Sequence, residues 1–239
     1  MHGSPRTEAA HSGPDLHVDP RRAWLCRGAI GGQVLFVAGW FLLGLIEGGG
    51  YSAGRHDVSD LSALGADHAA VMLVVTGVSG ALTMAFALGA LRPALEVPAK
   101  RGAVAAWLVA LSLPSLDNLS DVFFRLDCRA ADAGCTMAAA TASWHGRLHV
   151  IMFVIAAVAT IAAPFALARR MGDLPSWGAF ARTTRTFGIA VVAGLVITAA
   201  TSGTGLQGWT QRGVIVFVCS GLCVLAVAVA RRPGGNLAS

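Results

Sequence analysis

The chain reads as an all-α membrane protein, a polytopic bundle of six transmembrane helices with both termini cytoplasmic. Three observations predict that class. Charged residues make up only 13% of the 239 residues and hydrophobic ones 55%, whereas a soluble domain carries roughly 25% charge. Mean hydropathy is +0.63. Six apolar runs follow one another along the chain, each close to the about 20 residues that span the hydrocarbon of a bilayer. These features exclude a disordered chain, a secreted disulfide scaffold and an ordinary soluble enzyme. The short alternating strands of a membrane barrel are missing, so helices must satisfy the backbone internally.

Residues 1–23 are polar and rich in Gly, Pro, His and charge, which predicts a disordered cytoplasmic tail and not a signal peptide. The six-helix domain is expected over 24–232, with a short cytoplasmic tail at 233–239. Run one covers about 28–46, between Arg27 and Glu47. Run two covers about 69–91 and ends at Arg92-Pro93. Run three covers about 103–124, run four about 148–168, ending at Arg169-Arg170. Run five covers about 187–206, and run six about 213–230, ending at Arg231-Arg232. Small residues such as Gly31, Gly32, Gly39 and Gly44 in run one, and Gly77 and Gly80 in run two, permit close helix contact.

Charge placement tests the helix count. With the N-terminus inside, thirteen of the eighteen Lys and Arg lie in cytoplasmic segments, leaving Arg55, Arg125, Arg129, Arg147 and Arg212 outside. That alternation holds loop by loop for six helices, and it orients the chain in the cell (inner) membrane. It also explains the net charge of +5, so the basic balance implies a bilayer and not a nucleic acid as partner.

Acids and histidines follow another rule. Glu47, Asp57, Asp60, Asp67, Asp117, Asp121, Asp127 and Asp132 gather at the outer side, with His56, His68, His145 and His149. Orientation does not ask for this, because acids contribute little to it. Asp57 and Asp60, like Ser59 and Ser62, are three apart in the first outer loop. They either cap a short interfacial helix or bind a ligand. Asp117 and Asp121 are four apart, so they share one helix face. At that depth they either face the bundle interior or, if run three stops near Leu116, meet solvent. His145 and His149 are four apart at the start of run four, a spacing that suits one metal ion or an ordinary hydrogen-bonded pair. His68, Met72 and Thr76 form a stripe in run two, while Thr198, Thr201 and Ser202 lie in run five. Such hydroxyls bond back to their helices or line a cavity. Cys128 and Cys135 share a loop in a compartment that tolerates disulfides, and a bridge is expected. Cys26 is expected reduced, and Cys219 and Cys223 act as small apolar residues.

The stretch His56-Asp57-Val58-Ser59-Asp60-Leu61-Ser62-Ala63-Leu64-Gly65 resembles the Ile-Ser-Asp-Leu-Gly-like signature of a large bacterial and archaeal family called domain of unknown function 998. Phe124-Arg125-Leu126-Asp127-Cys128 and His145-Gly146-Arg147-Leu148-His149 resemble its other two motifs. The resemblance covers nearly all of residues 28–230. It implies a six-helix membrane protein and no particular activity. A weaker pattern is similar to alkaline ceramidase-like membrane hydrolases, with Ser52-x-x-x-His56, Asp67 and His145-x-x-x-His149 laid over their zinc site. Those enzymes have seven helices and carry the histidine pair in the last one, so this is a pattern of chemistry.

The functional reading is a polar His/Asp cavity opening outward, in two versions. In the first, His56, His145 and His149 hold zinc, which lowers the pKa of a bound water. Asp60, Asp117, Asp121 and Asp127 are then the candidate catalytic acids, acting as general base or orienting a histidine. Tyr51, Ser59, His68 and Trp144 are candidate contacts to an amphiphilic substrate of lipid or isoprenoid character arriving from the bilayer. In the second, the protein is a non-catalytic binding, assembly or transport-assisting subunit whose acids and histidines hold the outer ends together. Two further alternatives are a bis-histidine haem protein using His68 with His145 or His149, and a prenyl-chain cyclase using Asp117 and Asp121.

Overall fold

The computed structural model describes residues 19–96 and 102–232. Among them the chain is all helix and loop. Five helices are long and apolar enough to cross a membrane: α1 Pro20–Ile46, α2 Ala69–Leu95, α4 Trp144–Gly172, α5 Pro175–Ala200 and α6 Gln207–Ala230. A bent pair between α2 and α4, Ala103–Ala110 and Leu113–Ser120, makes the sixth span, α3. Residues 1–18 and 233–239, expected as tails, lie outside the described residues.

α1 begins eight residues before its apolar run. The Asp19 side chain accepts from the Arg21 amide at 3.0 Å, and Pro20 occupies the first turn, where its missing N–H is harmless. Residues 20–23, expected in the tail, are therefore helical. α2 widens into a π-helical turn at Ala87–Leu91 just before Pro93, which cannot donate to the preceding turn. α4 is capped by Ser143, whose hydroxyl accepts from Gly146 N at 3.2 Å.

One apolar core lies at the end where α1 starts and α6 stops. It joins Cys26, Phe86, Leu91, Leu95, Met171, Trp177 and Val229. A smaller one, around Phe36, Trp40, Leu61, Met72 and Cys219, lies toward the other end. The first end carries the arginines that close runs two, four and six, and it is called the basic end below. There Arg170 Nε donates to the Leu95 carbonyl at 2.9 Å, and Arg232 lies over the Trp177 ring. Loops 47–68, 121–143 and 201–206 form the opposite, loop-rich end.

Candidate functional site

The loop-rich end is built from charges that satisfy one another. Glu47, just past the end of α1, accepts from Asp67 N at 2.9 Å and from the Arg129 guanidinium, while its other oxygen lies 3.4 Å from His68 Nδ1. Arg129 also grips Asp132 Oδ1 through Nε and Nη2, at 2.9 and 2.7 Å. Both residues sit inside the loop closed by the Cys128–Cys135 disulfide, which forms as expected. The Arg129 guanidinium holds the Asp132 carboxyl below the usual range.

Arg212, in the first turns of α6, donates to the carbonyls of Ala53, His56 and Gly208 and to the Tyr51 hydroxyl. Burial pushes the Tyr51 phenol up to about 12. The Asp57 carboxylate accepts from Gln207 Nε2 at 3.0 and 3.1 Å, so it ties the first loop to α6 and caps no helix. Asp127 binds the Ser143 amide and hydroxyl, each at 2.7 Å, and those bonds lower its pKa.

The second group lies inside the bundle. α3 breaks at Ser112, which is followed by Pro114, and bends by 46°. The freed Leu113 amide donates to Thr160 Oγ1 of α4 at 2.9 Å. Beyond the break a π-helical turn, Leu113–Asp117, leads into Asn118–Ser120. Gly80 of α2 lets this turn come close, since a Cβ there would stand 2.6 Å from the Ser115 carbonyl oxygen. Irregular backbone at membrane depth is tolerated where protein buries it or where it lines a cavity.

Here it does both. Asp117, Asn118 and Asp121 line a cavity of about 150 Å³ with His149, Ser59, Thr76, Gln211 and Thr198. All six helices contribute to its wall. His149 Nδ1 lies 3.3 Å from the Phe124 carbonyl and 3.1 Å from Asp121 Oδ1, the latter an ion-pair approach without hydrogen-bond alignment. A carbonyl only accepts, so Nδ1 carries a proton and Nε2 remains to accept one. Asp117 Oδ1, Asn118 Nδ2 and Ser115 Oγ are buried with no partner among the described residues. A second cavity, of about 310 Å³ and with a mostly apolar surface formed by α3 to α6, adjoins the first at Thr160 and Val218, which line both.

The predicted residues therefore divide. Asp117, Asp121, His149 and Ser59 line one cavity. The expected zinc set does not form. His56 Nδ1 accepts from Ser52 N within its own loop turn, and His145 stacks on Trp144 with Nδ1 on the Phe123 carbonyl. Among the described residues no three His, Cys, Asp or Glu side chains are arranged to hold one metal ion. The expectation that His56, His145 and His149 meet at a metal is corrected accordingly. Burial lowers the pKa of His56.

Asp60 and Asp127, expected with the catalytic acids, are held in the loops: Asp60 Oδ1 accepts from Ala130 N at 3.1 Å. Of the expected substrate contacts, Tyr51, His68 and Trp144 belong to the loop end and not to the cavity wall. His68 Nδ1 lies 3.4 Å from Glu47 Oε2 and His145 Nδ1 3.1 Å from the Phe123 carbonyl. The hydroxyls of Thr76 and Thr198 bond back to their own helices, and both residues also line the cavity, so the two readings hold together for them.

Sequence reasoning missed Arg129, Glu47, Arg212, Asn118 and Thr160. Arg129 and Asp132, three apart between the two cysteines, were a legible signal. So was Ser112-Leu113-Pro114 as a helix break.

The family described as "Protein of unknown function (DUF998)" matches residues 30–232. The chain belongs to that family. The match runs from the third turn of α1 to the end of α6, so it takes in both the loop network and the cavity. The ceramidase-like pattern finds no such support: Ser52 engages His56 in a loop, and the His145/His149 pair lies on α4. No curated protein and no solved structure matches the chain.

Proposed function

We propose that this DUF998 protein takes up an amphiphile of lipid or isoprenoid character and performs acid–base chemistry on its polar head. One observation carries the reading. Two carboxylates and an imidazole line a cavity inside the bundle, and that cavity adjoins a second, still more apolar one. A hydroxyl- or amine-bearing head would donate to Asp117 and Asp121, while its hydrocarbon lay in the apolar cavity. Asp121 would hold the His149 ring and stabilise its charged form as Nε2 takes a proton. This reading needs no metal. We place the loop-rich end outside and the basic end in the cytoplasm of a cell membrane, following the arginine bias.

The test compares lipid extracts, by mass spectrometry, from cells expressing the wild-type chain, D121N or H149Q. An amphiphile consumed with the wild type and accumulated with both variants is expected. Identical extracts from all three, with the same amphiphile retained unchanged, would overturn the chemistry and leave a binding or assembly protein.

A further inference from the structure

The basic end holds a feature that the cavity chemistry does not use. Between α4 and α5 lies a crevice of about 470 Å³ lined by Phe165, Ala168, Arg169, Ala181, Arg182 and Arg185. α5 comes close because Gly188 faces Pro164 of α4. Arg182 and Arg185 are three apart and share one face of α5, on which exposed Ile189 follows four residues later. On α4, exposed Val158, Ile161 and Phe165 lead at steps of three and four to Arg169. α4 thus presents an apolar stripe, and α5 the exposed Ile189 and Val196 seven residues apart, each ending in guanidinium groups.

Among the described residues none of the three arginines has an acidic partner, and Asp173 of the α4–α5 turn lies 3.8 Å from Arg170 instead. Topology accounts for arginines at this end. It does not ask three of them to meet in one crevice walled by Phe165.

We propose that this crevice binds an anionic phospholipid, with its phosphate on Arg169, Arg182 and Arg185 and an acyl chain along the two stripes. Planar guanidinium forks pair with phosphate oxygens in two-pronged fashion. Basic pockets between membrane helices attract lipid head groups in the same way. The aliphatic stripes select a lipid over a soluble anion.

Native mass spectrometry of the full chain, titrated with phosphatidylglycerol or phosphatidylcholine of equal chain length, tests this. The wild type is expected to prefer phosphatidylglycerol. R182Q/R185Q should weaken that binding roughly thirty-fold and leave phosphatidylcholine unaffected. R21Q/R27Q, which removes the same charge elsewhere at the basic end, should leave the preference in place. R182K/R185K, which keeps the charge, should lie between the wild type and the glutamine pair. The altered arginines are exposed, and an unchanged melting temperature confirms that each variant folds. Equal losses in the two glutamine pairs, no preference in the wild type, or displacement by inorganic phosphate alone would overturn the proposal.

Discussion

The loop-rich end and the cavity beneath it use the same residue types to opposite effect. At the loop end, Glu47, Arg129, Asp132, Asp57 and Asp127 each meet a partner that neutralises or hydrogen-bonds them. In the cavity, Asp117 and Asn118 keep buried atoms with no partner among the described residues, and Asp121 meets His149 without alignment. Satisfied charges hold elements together; unsatisfied ones oppose folding and persist where something else recruits them. The difference separates a clasp from a site, although both are made of carboxylates, imidazoles and arginines within a few turns of one another.

Substitution should separate them in the same way. D121N or H149Q is expected to reduce turnover of the accumulating amphiphile by about 10²–10⁴-fold. For D121N the melting temperature in detergent should stay level or rise, because a poorly paired buried charge is removed. R129M is expected to do the reverse. It strands Glu47, whose side chain is fully buried beside it, and should cost about 3 kcal/mol of stability in denaturant titration. The contrast breaks down if D121N melts as low as R129M.

A smaller effect sharpens the clasp side. C128S/C135S opens the loop that presents Arg129 and Asp132, and a closed loop of this length stabilises by about 2 kcal/mol through the unfolded chain. Most of that loss should vanish in an R129M background, since the bridge and the ion pairs hold the same loop. Full additivity of the two changes would show that the disulfide acts independently of the clasp.

How far each region was legible in sequence follows from the physics that builds it. Hydrophobic length and the arginine bias marked the spans, because lipid acts on every residue of a run at once. Asp117 and Asp121 stood out because a carboxylate in an apolar run has few places to go. The clasp stayed hidden. Glu47 and Arg129 are 82 residues apart, and nothing local in either announces the other. The metal expectation failed for a related reason. Spacing along α4 puts His145 and His149 on neighbouring turns, but His145 faces the loop end, where Trp144 stacks on it, while His149 faces Asp121. A four-residue step brings two rings near one another without deciding what each ring meets.

The remaining prediction concerns Asp60, which shares features of both regions. One oxygen is held by Ala130 N, as in the clasp, while the other is buried without a partner, as in the cavity. Burial outweighs that bond and lifts its pKa from 3.8 to about 6, with Asp57 and Asp132 pushing the same way and Arg129 opposing. The folded state therefore holds this proton more tightly than the unfolded chain does. Stability contributed by Asp60 should fall as pH rises from about 4 to about 6 and stay level above that. Asp132 and Asp127, with lowered values, act in the opposite sense as pH falls. The quantity to measure is thus the melting-temperature difference between D60N and the wild type. It should grow in favour of D60N across that window, because the variant carries no charge to bury. A difference that stays constant with pH would place Asp60 wholly within the clasp, with its second oxygen satisfied in solution.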